Sequence, residues 1–154
     1  MTPRQTADTF TLSDAERETL ACIVGHMIPA SAQAGMPGAD DPAIFADIIA
    51  TIHRDAPMLE QALNMVNDIA GGRLSDLASD EQVARLSTFR ARHPELAGVI
   101  EALTARCYYR DDRVLAAIGM PLRPPFPQGY EVEQGDYALL DPVRARGRIY
   151  RQAD

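Results

Sequence analysis

The sequence predicts an all-α fold, a single bundle of about six helices followed by an extended, proline-rich C-terminal tail. Three observations carry this. Apolar residues recur at three- and four-residue spacing in successive segments, each opened by a capping signal and closed by glycine or proline. Hydrophobic residues make up 46% of the chain yet aromatics only 6% and tryptophan none, an alanine-rich balance that suits close helix packing. No sustained alternating pattern with β-branched bias occurs before residue 120. A length of 154 residues fits one core. The expected division is a helical bundle over 1–120 and a tail over 121–154.

The first helix opens at Ser13-Asp14-Ala15-Glu16, where serine accepts from the first-turn amides and glutamate reaches back. Leu20, Ile23, Val24, Met27 and Ile28 then share a face until Pro29 ends the run. Residues 30–40 are small residues and turn formers, a loop. Asp41-Pro42 supplies a cap and a first-turn proline for a second helix bearing Ile44, Phe45, Ile48, Ile49 and Ile52. Pro57 opens a third, with Leu59, Leu63, Val66 and Ile69 inward and Gly71-Gly72 as its stop. Ser79-Asp80-Glu81-Gln82 reads as another capping box, leading to Val83, Leu86 and Phe89. His93-Pro94 separates this helix from a fifth carrying Leu96, Val99, Ile100, Leu103 and Cys107. A short sixth runs from about Asp111 to Ile118 and stops at Gly119. Beyond it fall five of the eleven prolines, and Tyr130-Glu131-Val132-Glu133 is the one stretch suited to a brief strand.

Charge and composition narrow the functional classes. A formal net charge of −7 argues against nucleic-acid binding, which needs a basic face. All fifteen basic residues are arginine, a bias of composition that also favours planar, two-pronged contacts with carboxylates. Cys22 and Cys107 each sit in an apolar helical pattern without a CxxC, so free buried thiols are expected rather than a disulfide. No 18-residue apolar run is present, so no membrane span is expected. The first eight residues hold neither a twin arginine nor an apolar leader core, which predicts a cytoplasmic place; a periplasmic one follows if a leader has been removed or a partner carries the export signal.

No self-sufficient active site is legible. His26, His53 and His93 are isolated and read as surface or cap residues, and Asp40-Asp41 and Asp111-Asp112 stand where helix N-termini favour negative charge. Nucleophile-elbow, phosphate-loop and dinucleotide-loop patterns are all absent. The sequence therefore assigns no catalytic, cofactor-binding or metal residue. It points instead to binding, through Tyr108 and Tyr109 at the end of the fifth helix, through Pro124, Pro125, Phe126 and Tyr130 in the tail, and through Arg144 and Arg148 in its basic end. The alternative is an independent helical small-ligand-binding domain or enzyme, with His26, the Met36-Pro37 loop and Tyr108-Tyr109 around a pocket.

Leu12-Ser13-Asp14-Ala15-Glu16 with Leu20, then His26-Met27-Ile28-Pro29-Ala30 followed by Pro37-Gly38-Ala39, and finally the run from Tyr108 to Gly119 form an ordered set over about residues 12–130. This set resembles the gluconate 2-dehydrogenase subunit 3 family. The resemblance implies a small accessory subunit with no cofactor of its own, whose partner is a large FAD-dependent oxidoreductase of the glucose-methanol-choline type. Its implied role is to support that partner's stability, maturation or export, and it carries over no catalytic residue.

Overall fold

The computed structural model describes residues 11–122 and 135–147, which hold seven α-helices and no β-strand. They divide into two compact units, residues 1–122 and 123–154. In the first unit, α1 (Asp14–Met27) begins with the expected reciprocal cap: the Glu16 amide donates to Ser13 Oγ (3.3 Å) and the Ser13 amide to Glu16 Oε2 (2.8 Å). In α2 (Pro42–Ala50), Asp41 is the cap and accepts from the Ala43 amide at 3.0 Å. A 3-10 turn over His53–Asp55 leads into α3 (Ala56–Ala70). Gly71 stops α3 at φ +75°, where a Cβ would be strained, and the Gly72 amide returns to the Asn67 carbonyl at 3.1 Å.

The fourth helix departs from its expected start. Ser79 lies inside α4 (Ser79–Arg92), whose cap is the extended residue Ala78 with no side-chain bond. The cause is Gln82. Its amide, needed for a reciprocal cap on Ser79, instead donates through Nε2 to the Leu77 carbonyl at 2.9 Å and turns Oε1 towards α1. His93 then joins α4 to α5 (Pro94–Tyr108), and Asp111 caps the short α6 (Asp112–Ala117) through the Arg113 amide at 2.9 Å. Gly119 ends α6 at φ +76°, with the Met120 amide closing on the Leu115 carbonyl at 2.9 Å.

These elements pack around α3. Its Leu59, Ala62 and Leu63 are wholly buried and its flanks meet α1, α4 and α5, while α2 lies against α5. Inward residues read from the periodicity of α1, α2 and α5 supply much of the remaining core: Leu20, Ile23 and Val24, then Ile44 and Ile48, then Leu96, Ile100, Leu103 and Cys107. Burying each large side chain contributes roughly 1.5–3 kcal/mol. Two polar residues enter this core and both are satisfied. Thr104 Oγ1 donates to the Ile100 carbonyl (2.7 Å), and Thr19 Oγ1 to the Ala15 carbonyl (3.0 Å).

In the second unit, Tyr137–Leu140 form a 3-10 turn and α7 spans Asp141–Ala145, so this part of the tail is helical where an extended chain was expected. Asp136 and Pro142 explain it, the first capping Ala138 at 2.9 Å and the second standing in the first turn of α7. The expected strand over Tyr130-Glu131-Val132-Glu133 lies outside the described residues. No helix among the described residues is long and apolar enough to cross a membrane.

Among the described residues, every buried apolar side chain lies between Leu12 and Val114. A chain ending at Gly119 should therefore keep its helical circular dichroism and unfold cooperatively at nearly the melting temperature of the full chain. Loss of a cooperative transition would mean that later residues belong to the core.

Candidate functional site

The segments singled out by the sequence are tied together around one end of the bundle. Residues 31–36 close a tight turn in which Ser31 and Met36 exchange backbone bonds of 2.9 and 3.0 Å. The Ala39 amide then donates to the Ile28 carbonyl at 2.9 Å, and the Tyr108 hydroxyl, from the end of α5, donates to the Pro37 carbonyl at 2.9 Å. Burial raises the Tyr108 phenol above its usual pKa, so it remains a donor at neutral pH. Tyr108, expected as a partner contact, is thus a core residue at 1% exposure. Tyr109 stacks edge-on against it with centroids 5.3 Å apart and stays 54% exposed.

Arg113 joins α6 to α2. Its guanidinium donates to Asp41 at 2.7 and 3.1 Å and to Asp111 at 2.9 and 3.0 Å, so the two helix caps share one arginine. This pairing holds the Asp41 carboxyl down to about 2 and lowers that of Asp111. Arg110 grips Asp47 of α2 in the same two-pronged way, with Nε to Oδ2 at 2.8 Å. The two acidic doublets were read as caps, and Asp41 and Asp111 are; the shared arginine was not legible from spacing, because residues 41 and 113 are distant in sequence. A groove of about 400 Å³ over these pairs is lined by Asp47, Cys107, Arg110 and Asp112.

Two further depressions flank α1. An apolar groove of about 430 Å³ runs between α1, α4 and α5, floored by Ile23, Met27, Leu86, Phe89 and Ile100 and crossed at its rim by the Arg90–Glu101 ion pair (2.9 Å). On the other side of His26, a cleft of about 330 Å³ is lined by Cys22, Gly25, Asp40 and Gln82. His26 Nε2 lies 2.6 Å from Gln82 Oε1, and the Cys22 thiol donates to the same oxygen at 3.2 Å. Because Gln82 Nε2 is committed to the Leu77 carbonyl, its Oε1 can only accept, so His26 carries a proton on Nε2. That tautomer cannot take a proton from Cys22 through Nε2, and burial also raises the thiol's pKa. A cysteine–histidine nucleophile is therefore not formed here. Nothing in the sequence flagged Gln82, since its pattern reads equally well as a cap.

The pocket expected around His26, the Met36-Pro37 loop and Tyr108-Tyr109 is only partly assembled. Tyr108 and Pro37 meet, but His26 faces Gln82, and none of the three depressions contains His26 together with either tyrosine. Cys22 and Cys107 are both free, the first half-buried and the second buried beside Thr51 Oγ1 at 3.2 Å. Arg144 lies in α7, paired with Asp141 at 3.1 Å. Pro124, Pro125, Phe126, Tyr130 and Arg148 lie outside the described residues.

Two substitutions test these ties. Tyr108→Phe keeps the ring but removes the bond to Pro37, and should cost about 1 kcal/mol in denaturant unfolding. Arg113→Ala should raise the Asp41 carboxyl from about 2 towards the ordinary value near 4, read by NMR titration. Since the folded-state pKa is the lowered one, the pairing stabilises the fold above about pH 4, the unfolded-state value, and that contribution fades as pH falls towards 2. The variant's acid unfolding curve should lack this part of the slope.

Compared with known proteins, the chain matches no family model, no curated relative and no solved structure.

Proposed function

We propose that this chain is a non-catalytic small subunit that binds a large FAD-dependent sugar or alcohol dehydrogenase and stabilises or matures it. The observation that carries the reading is the meeting of the resembling segments. His26–Ala30, Pro37–Ala39 and Tyr108–Gly119, which are separate in sequence, are joined through Ala39 to Ile28 and Tyr108 to Pro37. The segments that carry the resemblance thus lie together in the fold. Support for a binding role comes from apolar side chains exposed late in this unit's sequence: Tyr109, Ile118, Met120 and Leu122 are each 44–54% exposed. Flavin and catalysis belong to the partner. The proposed docking elements are Tyr109, Phe126 and Tyr130, with the arginines Arg144 and Arg148 meeting carboxylates. The proposed place of action is the cytoplasm, or the periplasm where the partner carries the export signal.

The test is co-purification. Tagged full-length chain should bring down a flavoprotein with dye-linked dehydrogenase activity, while the chain purified alone shows no flavin absorbance. Ending the chain at Gly119 should abolish recovery of the partner, and Phe126→Ala with Tyr130→Ala should weaken the complex by a few kcal/mol, the usual range for buried aromatic anchors. Flavin bound tightly to the isolated polypeptide would overturn the reading. Full recovery of the partner by the truncated chain would move docking onto the helices.

A further inference from the structure

The groove between α1, α4 and α5 carries a knob beside its hole and both signs of charge on its rim. Val83, Ser87 and Arg90 fall at i, i+4 and i+7 of α4, so they share one side of that helix, and all three line the groove. Val83 stands out at 49% exposure, next to a floor made by Ile23, Leu86 and Ile100. Ser87 is small, and its hydroxyl donates to the Val83 carbonyl at 2.8 Å. Covering it therefore strands no donor. Arg90, with its side chain 74% exposed, meets Glu101 of α5 through Nε at 2.9 Å, and its two Nη groups have no partner among the described residues. Aside from His26, these two are the only titratable groups lining the groove, which is thus balanced in charge on a chain of net charge −7.

A two-fold contact requires a patch that complements itself, since residue i of one copy meets j of the other and j meets i. This groove meets that requirement in both shape and charge. Its α4 wall brings the projecting Val83 and the cation, and its α5 wall brings the carboxylate. We propose that this face is the interface of a two-fold homodimer, with Val83 of each copy seated in the other's groove and the free Nη groups of each Arg90 paired with the second copy's Glu101. The attraction is apolar at the centre, and the charge pairs at both ends fix the register. The inference does not depend on the accessory role. If both hold, the complex with the flavoprotein contains two copies of this chain.

The experiment is sedimentation equilibrium of the purified full-length chain from micromolar to near-millimolar concentration, where a reversible monomer–dimer equilibrium is expected. Val83→Asp should weaken dimerisation by at least about tenfold. Arg90→Glu and Glu101→Arg should each do the same, because like charges then meet at both ends. Mixed in equal amounts, those two variants should associate with one another: one contact pairs the two introduced residues and the other pairs the two original ones. Each chain still carries like charges at positions 90 and 101, so a pair that serves only within the chain cannot produce this rescue. Circular dichroism establishes that each variant is folded. A mixture that stays monomeric would overturn the proposal, as would a dimer that survives Val83→Asp. So would a full-length chain that is monomeric throughout; if Val83→Asp then also lowered recovery of the flavoprotein, the groove would belong to that partner instead.

Discussion

The packing of α3 is the constraint on which the rest of the bundle depends. Leu59, Ala62, Leu63 and Val66 fall on successive turns of one apolar stripe, and all are 1% exposed or less. A stripe of that width cannot be covered by one neighbour, so α1, α4 and α5 close on it from different sides. Their order around α3 fixes which faces remain open. The apolar groove exists because α4 turns only Phe89 fully inward, leaving Leu86 half-buried and Val83 at 49% exposure along the seam with α1 and α5. Asn67, on α3, holds the far side by accepting from the Leu74 amide (3.2 Å) and standing 3.3 Å from Thr19 Oγ1 of α1, whose one proton is shared with the nearer Ala15 carbonyl, and this seats the turn between α3 and α4 against α1.

How legible each part was in the sequence follows from the range of the interactions that set it. Ser13 with Glu16, Asp41 with Pro42, Gly71 and Gly119 act within one or two turns of chain, so their roles could be read from residue type and spacing. The apolar faces of α1, α2, α3 and α5 were legible for the same reason, since a helix's period is a local property. What spacing cannot carry is competition between a local and a distant partner. Gln82 has both an expected local use, at Ser79, and a distant one, at His26 and Cys22; the distant one prevails because a half-buried thiol and imidazole need an acceptor more than an exposed helix start does. Tyr108 misleads in the same manner. Beside Tyr109 it looks like half of a surface pair, yet one position along a helix turns the side chain by about 100°, enough to send one ring into the core and leave the other outside.

The tail shows the opposite failure, a local signal outweighed by composition. Five prolines after Gly119 suggest an extended chain, but Pro142 is the fifth and stands where a proline favours a helix, just after Asp141 and within the first turn. Leu139 and Leu140 precede it in a 3-10 turn capped by Asp136. Proline counts alone therefore misjudge this segment. Position within the first turn decides whether the ring breaks a helix or begins one.

The absence of lysine acquires a structural use at residues 110 and 113. Arg113 presents Nε, Nη1 and Nη2 to two carboxylates that cap different helices, and Arg110 presents Nε and Nη2 to a third. A lysine ammonium could approach one of these carboxylates closely but could not bridge Asp41 and Asp111 in one plane, since its donors radiate from a single nitrogen. All these pairs are partly open to water, so Coulomb attraction alone contributes little. Their effect is directional. The fork fixes how α6 approaches α2, and α6 in turn sets where Met120 and Leu122 stand, at the edge of the unit from which the chain continues. A bias that composition alone would explain is thus, at these two positions, part of what orients the surface proposed for partner binding.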